Sequence, residues 1–174
     1  MNSTLVGRLG LIGTERVLEI GFGPGVALPM LQRALPRGKV FGIDPSAVMF
    51  GQALRRLERA SIEAEVDLRL GSAARLPWPG SFFDDVLSAN NIQLWDPLET
   101  SLAEVARVLK PGGLLLIGVH EWAARGQGGA LGRSLEELRS NLTVELSTHG
   151  WALVTPETVP ARIGQFLSVS ARWP

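Results

Sequence analysis

The 174-residue sequence has no cysteine and no tyrosine, and only two histidines. Without cysteine there is no disulfide, no thiolate metal site and no cysteine nucleophile. Without tyrosine, the Tyr–Lys pair of a short-chain dehydrogenase is excluded. Net charge is also missing, because 17 Lys and Arg balance 17 Asp and Glu. No global attraction to nucleic acid or to an anionic membrane follows from such a balance. Long hydrophobic runs are absent too. The most apolar stretch, LLLIGV (114–119), is far too short to span a bilayer. The start, MNSTLVGRLGLIG, lacks the basic-then-apolar order of a secretory signal. These features read as a soluble, cytoplasmic protein.

What is present is an ordinary globular composition, 45% hydrophobic and 20% charged. A chain of this length suits one domain and buries roughly 70% of its unfolded surface. The expectation is a single domain over residues 1–174 with a short N-terminal cap. Strand-length apolar runs alternate with segments of helical period. VLEI (17–20), KVFGID (39–44), VDLRLG (66–71), DDVLSA (84–89) and LLLIGV (114–119) read as five strands. Between the first two lies LPMLQRAL, with Leu28, Leu31 and Leu35 on one helical face and Pro36 as its stop. Ser46 can cap a second helix running through VMFGQALRRLERA. Asp96 reads as the N-cap of a further helix, with Pro97 at its first position and Glu99 closing a capping box. KPGG then ends that helix and turns into the fifth strand. Alternation of this kind, with continuously apolar strands, means a parallel sheet covered on both faces. The C-terminal part differs. LGRSLEELRSNLTVELSTHG reads as a helix stopped by Gly150, followed by WALVTPETV and FLSVSARW with no helix between them. Strands joined so closely pair antiparallel. The expected fold class is therefore α/β: a doubly wound, mostly parallel seven-stranded Rossmann-like sheet, helices on both faces, with a C-terminal antiparallel hairpin. The glycine-rich RGQGGALG (125–132) reads as a loop.

The chemistry concentrates at VLEIGFGPGV (17–26), a buried strand breaking into glycines 21, 23 and 25. In an open α/β sheet the ligand sits beyond the carboxyl ends of the strands, where strand order reverses. A dinucleotide fingerprint needs G-x-G-x-x-G/A, but Val26 occupies its third position. A phosphate-binding loop needs a following Lys–Ser/Thr, which is absent. Two acids frame the loop: Glu19 inside the first strand and Asp44 at the end of the second. An acid at the latter position can accept both hydroxyls of a ribose. A nicotinamide oxidoreductase is the weaker alternative.

Four segments in this order, VLEIGFGPG, VFGIDPS, GSAARLPWPGSFFDDVLSANN and EVARVLKPGGLLLIG, resemble the successive motifs of class I S-adenosylmethionine-dependent methyltransferases. They most resemble the small-molecule branch that includes the ubiquinone/menaquinone biosynthesis enzymes. The resemblance covers residues 17–119 closely and the C-terminal hairpin by pattern. It implies S-adenosyl-L-methionine as cofactor and in-line methyl transfer to a small-molecule acceptor. It implies that Gly21, Phe22, Gly23 and Gly25 pass beside the methionine and ribose. Glu19 would orient the loop and the cofactor's amino group, and Asp44 would hold the ribose hydroxyls. Pro45 and Ser46 would lie near the adenine, Ser72 and Ala73 at its edge, and Asn90 would offer its backbone carbonyl to the methionine ammonium. The pattern departs at Ser72, where many members have an acid.

The methyl donor is already activated, so the protein's work is alignment, and a base is needed only if the acceptor loses a proton. His120, ending the fifth strand, is the candidate base; its alternative is a histidine bonded to nearby backbone. Asn91 and Gln93 would either orient an acceptor or cap loop backbone. Trp95 and Trp122 would either wall an apolar acceptor pocket or pack in the core. His149 sits where a cation suits a helix end. Asp84 and Asp85 read as turn residues, and no metal site is expected. Arg55, Arg56 and Arg59 form a basic helix face, the usual solvated surface. Cysteine-dependent cytosine methylation is excluded, and SANN (88–91) does not match the motif of amino-methylating DNA enzymes. Only 16 residues precede VLEI, where the family commonly carries helices over the acceptor site. That shortness motivates an alternative, a non-catalytic cofactor-binding protein acting through a partner. The expected partners are the small-molecule acceptor, no nucleic acid and no membrane, with a homodimer left open.

Overall fold

In β1 (Arg16–Ile20) and β2 (Lys39–Asp44) every residue after the first is buried, on both faces of the strand. Only a strand sandwiched between layers reads this way. A computed structural model describes residues 1–61, 66–126 and 134–174. In it, these two strands join β3 (Val66–Leu70), β4 (Phe83–Ala89), β5 (Leu109–His120), β6 (Ala152–Pro160) and β7 (Gln165–Arg172) in one sheet, ordered β3-β2-β1-β4-β5-β7-β6. The first five strands run parallel. β7 runs antiparallel to both β5 and β6. The doubly wound sheet with a C-terminal antiparallel hairpin is thus the observed architecture.

Side chains of successive strand residues fall on opposite faces, and two apolar clusters follow from that. Leu18, Phe41, Phe83 and Leu115 belong to one, with Val105 of α4 (Leu98–Val108) and Leu142 of α6 (Leu135–Thr148). Val17, Val40 and Leu116 belong to the other. They meet Leu5 of α1 (Asn2–Arg8), Leu28 and Leu31 of α2 (Leu28–Ala34), and Ala53 of α3 (Ala47–Arg59). Phe41, Trp78, Phe82 and Phe83 interlock edge-to-face in the first cluster. Leu5 is fully buried and seats on Gly118 of β5, where any Cβ would collide with it. That contact holds α1 above the carboxyl ends of the strands. No helix among the described residues is long and apolar enough to cross a membrane.

Several local readings change. Asp96 does not cap α4. Pro97 itself takes the N-cap position in extended conformation and no side chain caps the helix, which leaves Asp96 one residue too early. Lys110–Gly113 is not a turn between helix and strand. β5 begins directly at Leu109, and the register against β4 jumps between Phe83↔Leu109 and Asp85↔Leu114, so the KPGG residues form a bulge inside the strand. Gly113 is required there, since a Cβ would meet three groups, two of them backbone carbonyls, at 2.8 Å. Ser46 caps α3 through Met49 N–H, as expected. α6 starts with a full capping box from Ser134 and Glu137. Two short helices carry no clear apolar period in the sequence: α1, and α5 (Glu121–Gly126). Most of the glycine-rich 125–132 lies outside the described residues.

Candidate cofactor and acceptor site

Strand order reverses between β1 and β4, because β2 and β3 lie to one side and β5 to the other. A cavity of about 590 Å³ opens there, at the carboxyl ends of the strands. The loop after β1 forms its floor. Gly21, Gly23 and Gly25 all have positive φ, at 68°, 54° and 75°. The three differ in what demands glycine. At Gly21 a Cβ would lie 2.5 Å from Asn91 Cγ, and at Gly25 it would lie 2.9 Å from the Cβ of Ala53 in α3. At Gly23 a Cβ would meet nothing within 4 Å, and this residue lines the cavity. Two of the glycines therefore seat the loop and the middle one leaves its ligand side open.

Asp44 fixes that middle glycine. Its Oδ2 accepts from Gly23 N–H at 2.8 Å and its Oδ1 from Ser46 N–H at 2.8 Å. Each oxygen keeps a free lone pair, since a carboxylate offers about four acceptor sites. Glu19 lies deeper. It is 3% exposed, lines the same cavity, and its Oε2 is buried without a hydrogen-bond partner. Burial, reinforced by the Asp44 carboxylate, pushes the Glu19 carboxyl up to about 8. An unpartnered buried acid in a cleft is a costly arrangement unless a ligand completes it.

Phe22, Pro45, Ser46, Ser72, Ala73 and Asn90 also line the cavity; Gly25 does not, because it faces α3. The structure thus brings together all but one of the residues expected around a cofactor. Asn90 has positive φ (59°), and its carbonyl accepts from Gln93 Nε2 at 3.0 Å. Gln93 therefore caps loop backbone.

Two expected acceptor residues sit differently. Asn91 lines the cavity, but its side chain is engaged at both ends. Nδ2 donates to Ile20 O at 2.7 Å and Ala89 O at 3.2 Å, while Oδ1 accepts from Ser88 Oγ at 3.0 Å and Trp95 Nε1 at 2.7 Å. It pins the glycine loop to the end of β4, and no polar atom is left to orient an acceptor. His120 is not part of the cavity wall. Its Nε2 donates to Ile163 O at 2.8 Å, and its ring lies against Trp122 with centroids 5.7 Å apart. This is the backbone-bonded histidine at a strand end, turned away from the cleft by the strand pairing β5 makes with β7.

Trp95 and Trp122 do wall the cavity, together with Leu94, Asp96, Ser101 and Asn2. Trp122 is 63% exposed and Leu94 54% exposed, so they form its rim. Sequence reasoning missed Asn2, Leu94, Asp96 and Ser101. Ser101 and Asp96 flank the start of α4, and Asn2 depends on the docking of α1, which no sequence period reveals. His149 closes α6, with Nδ1 at 2.7 Å from Glu145 O. Asp84 accepts from Arg16 N–H and binds Lys110, at the opposite ends of the strands from the cavity. Among the described residues no group of three or more acids and histidines could hold a metal.

The fold and the loop both have counterparts. The methyltransferase domain family matches residues 17–113. An uncharacterized methyltransferase of Bacillus subtilis, YdaC, is 33% identical over 113 residues, which is 65% of this chain and 60% of that protein. The ubiquinone/menaquinone biosynthesis C-methyltransferase UbiE of Bordetella parapertussis is 34% identical over 113 residues, 64% of this chain and 43% of that protein. This chain therefore spans about 60% or less of the length of either curated relative. A crystal structure of a SAM-dependent methyltransferase from Aquifex aeolicus has the same fold, with a TM-score of 0.81 at 22% identity over 99% of this chain and 89% of that one. With more than half of its length matched by that family, the chain belongs to the methyltransferase-domain family.

Proposed function

We propose that the chain binds S-adenosylmethionine in the 590 Å³ cavity and transfers its methyl group to a small-molecule acceptor. One observation carries this reading: the cavity holds both an acid clamped by two backbone amides and a second acid whose buried oxygen lacks a partner. The cofactor has a diol and an ammonium to match them. Asp44 would take the ribose hydroxyls with its spare lone pairs, and Glu19 would pair with the amino group. Gly23 leaves room for the chain between those two ends, while Pro45, Ser46, Ser72 and Ala73 would receive the adenine. Asn90 would add its carbonyl at the methionine end. Asn91 acts through the loop, as a positioning residue holding Gly21.

When bound, the cofactor supplies a methyl group already activated on a sulfonium. The residues of this chain then have to align an acceptor and exclude water, which is proximity catalysis. Trp95, Trp122 and Leu94 give the outer cavity an apolar wall and favour an acceptor with an apolar body. The orientation of His120 supports no base role for it. No observation favours the non-catalytic alternative.

The test is turnover by the isolated chain. Labelled S-adenosylmethionine is offered with panels of apolar amines, phenols, carboxylic acids and quinols, and release of S-adenosylhomocysteine is followed. Acceptor-dependent release supports the reading. No release with any acceptor, together with no binding of either cofactor form, would sink it.

A further inference from the structure

A second cavity, of about 670 Å³, lies behind the glycine loop between α2 and α3. Four arginines line it: Arg33 from the last turn of α2, and Arg55, Arg56 and Arg59 from α3. No acidic residue is among its lining residues. Four arginines elsewhere are ion-paired, Arg8 with Glu157, Arg69 with Asp67, Arg107 with Glu104 and Arg125 with Glu121, while others among the described residues, such as Arg37 and Arg75, stand singly and not around a common hollow. Among the described residues, none of the four cavity arginines makes an ion pair. The one side-chain hydrogen bond that these arginines make among the described residues runs from Arg56 Nε to Pro24 O at 2.8 Å. The concentration is notable in a molecule of zero formal net charge.

Four like charges around one hollow repel each other, and among the described residues no carboxylate within ion-pair distance relieves them. A ligand with several negative oxygens would. The guanidinium fork matches phosphate oxygens two at a time, which a lysine cannot do. We propose that this cavity is a binding site for a phosphate- or diphosphate-bearing ligand, separate from the cofactor cavity and sharing with it only the wall formed by Pro24 and Val26. S-adenosylmethionine carries no phosphate and is not the occupant. The phosphate can come from a free phosphorylated molecule or from a lipid headgroup, and the chemistry at the arginines is the same.

Two probes separate the sources. Pyrophosphate is titrated calorimetrically into the full chain at low and at raised ionic strength. In parallel, the chain is sedimented with vesicles of phosphatidylcholine, with and without phosphatidic acid. The Arg55→Gln/Arg59→Gln double variant and the matching double Lys variant are compared, with circular dichroism confirming that each is folded. The expected result is pyrophosphate binding that weakens as salt rises, falls about tenfold or more in the Gln variant, and is partly restored in the Lys variant. Sedimentation that needs both phosphatidic acid and the arginines supports the same site, with lipid as the source. Absence of binding to either probe, or binding unchanged in the Gln variant, overturns the proposal.

Discussion

Binding of S-adenosylhomocysteine is expected to expel a proton, and Glu19 is its source. In the free protein, burial and the Asp44 carboxylate hold the Glu19 carboxyl at about 8. At pH 7 the group is then about nine-tenths protonated. Pairing with a ligand ammonium requires the carboxylate, so binding releases close to one proton. The cost of that ionisation is about 1.4 kcal/mol per pH unit below the free-state value. Between pH 6 and pH 7 the dissociation constant should therefore fall by about ninefold. The ligand's own amine, with a reference value near 8, stays largely charged in this window. The assay is isothermal titration at pH 7 in two buffers of different ionisation enthalpy, repeated at pH 6. The slope of observed enthalpy against buffer enthalpy counts the protons. Glu19→Gln keeps the shape of the side chain and should abolish both the proton release and the pH dependence. No proton release, an affinity that weakens from pH 6 to pH 7, or a Gln variant identical to the wild type would refute the placement of the amino group at Glu19.

The same residue sets how the ligand-free protein responds to pH. A carboxyl whose native value lies above its unfolded value holds its proton longer when folded, so its contribution to stability is fully present below about pH 4.5 and is lost as pH rises toward 8. Asp85, pushed up to about 6 chiefly by burial, acts in the same direction over a lower window. Melting temperature measured without ligand should thus decline from pH 5 to pH 8, and less steeply in Glu19→Gln; a rising curve would contradict the burial argument. Asp44→Ala removes the acceptor of two backbone amides and the expected partner of the ribose hydroxyls. Cofactor affinity, measured by calorimetry, should fall about 100-fold or more. Asn91→Ala leaves Ile20 O, Ser88 Oγ and Trp95 Nε1 without their partner. It should cost about 2–4 kcal/mol and lower the melting temperature by roughly 5–15 °C in a thermal scan. His120→Ala should change turnover by less than about threefold; a loss beyond about 100-fold would mean that it serves as a general base after all.

The parallel half of the fold was legible because burial on both faces leaves a simple mark. Val17, Leu18 and Ile20, or Val40, Phe41 and Ile43, put buried apolar side chains on both faces of their strands, and glycine or aspartate marks where each strand stops. The lining proposed for the cofactor was legible for a related reason. It sits at strand ends, where Glu19, Gly23 and Asp44 are fixed by position along the chain rather than by distant packing. The acceptor side was not. Asn2 reaches the cavity only because Leu5 docks on Gly118, and Trp122 only because β5 continues into α5. The fate of His120 depended on a contact across 43 residues, with Ile163 at the tip of the β6–β7 hairpin. Residue type and strand position suggested a base, whereas the turn between β6 and β7 supplied the carbonyl that occupies its ring. Asn91, left open by the sequence between orienting an acceptor and capping loop backbone, shows the complementary case. A polar side chain after a strand reads as substrate-facing until its hydrogen bonds to Ile20, Ser88, Ala89 and Trp95 are seen together. The bulge at Lys110–Gly113 was hidden because KPGG reads equally as a helix stop and as a kink inside a strand.

The most direct test is a crystal structure of the chain with S-adenosylhomocysteine. The expected result has both ribose hydroxyls on the Asp44 carboxylate, the amino group at Glu19, the adenine beside Ser72 and Ala73, and the sulfur facing the space between Trp95 and Trp122. Density for the ligand anywhere else, or a ribose that leaves Asp44 untouched, would contradict the assignment of this cavity to the methyl donor.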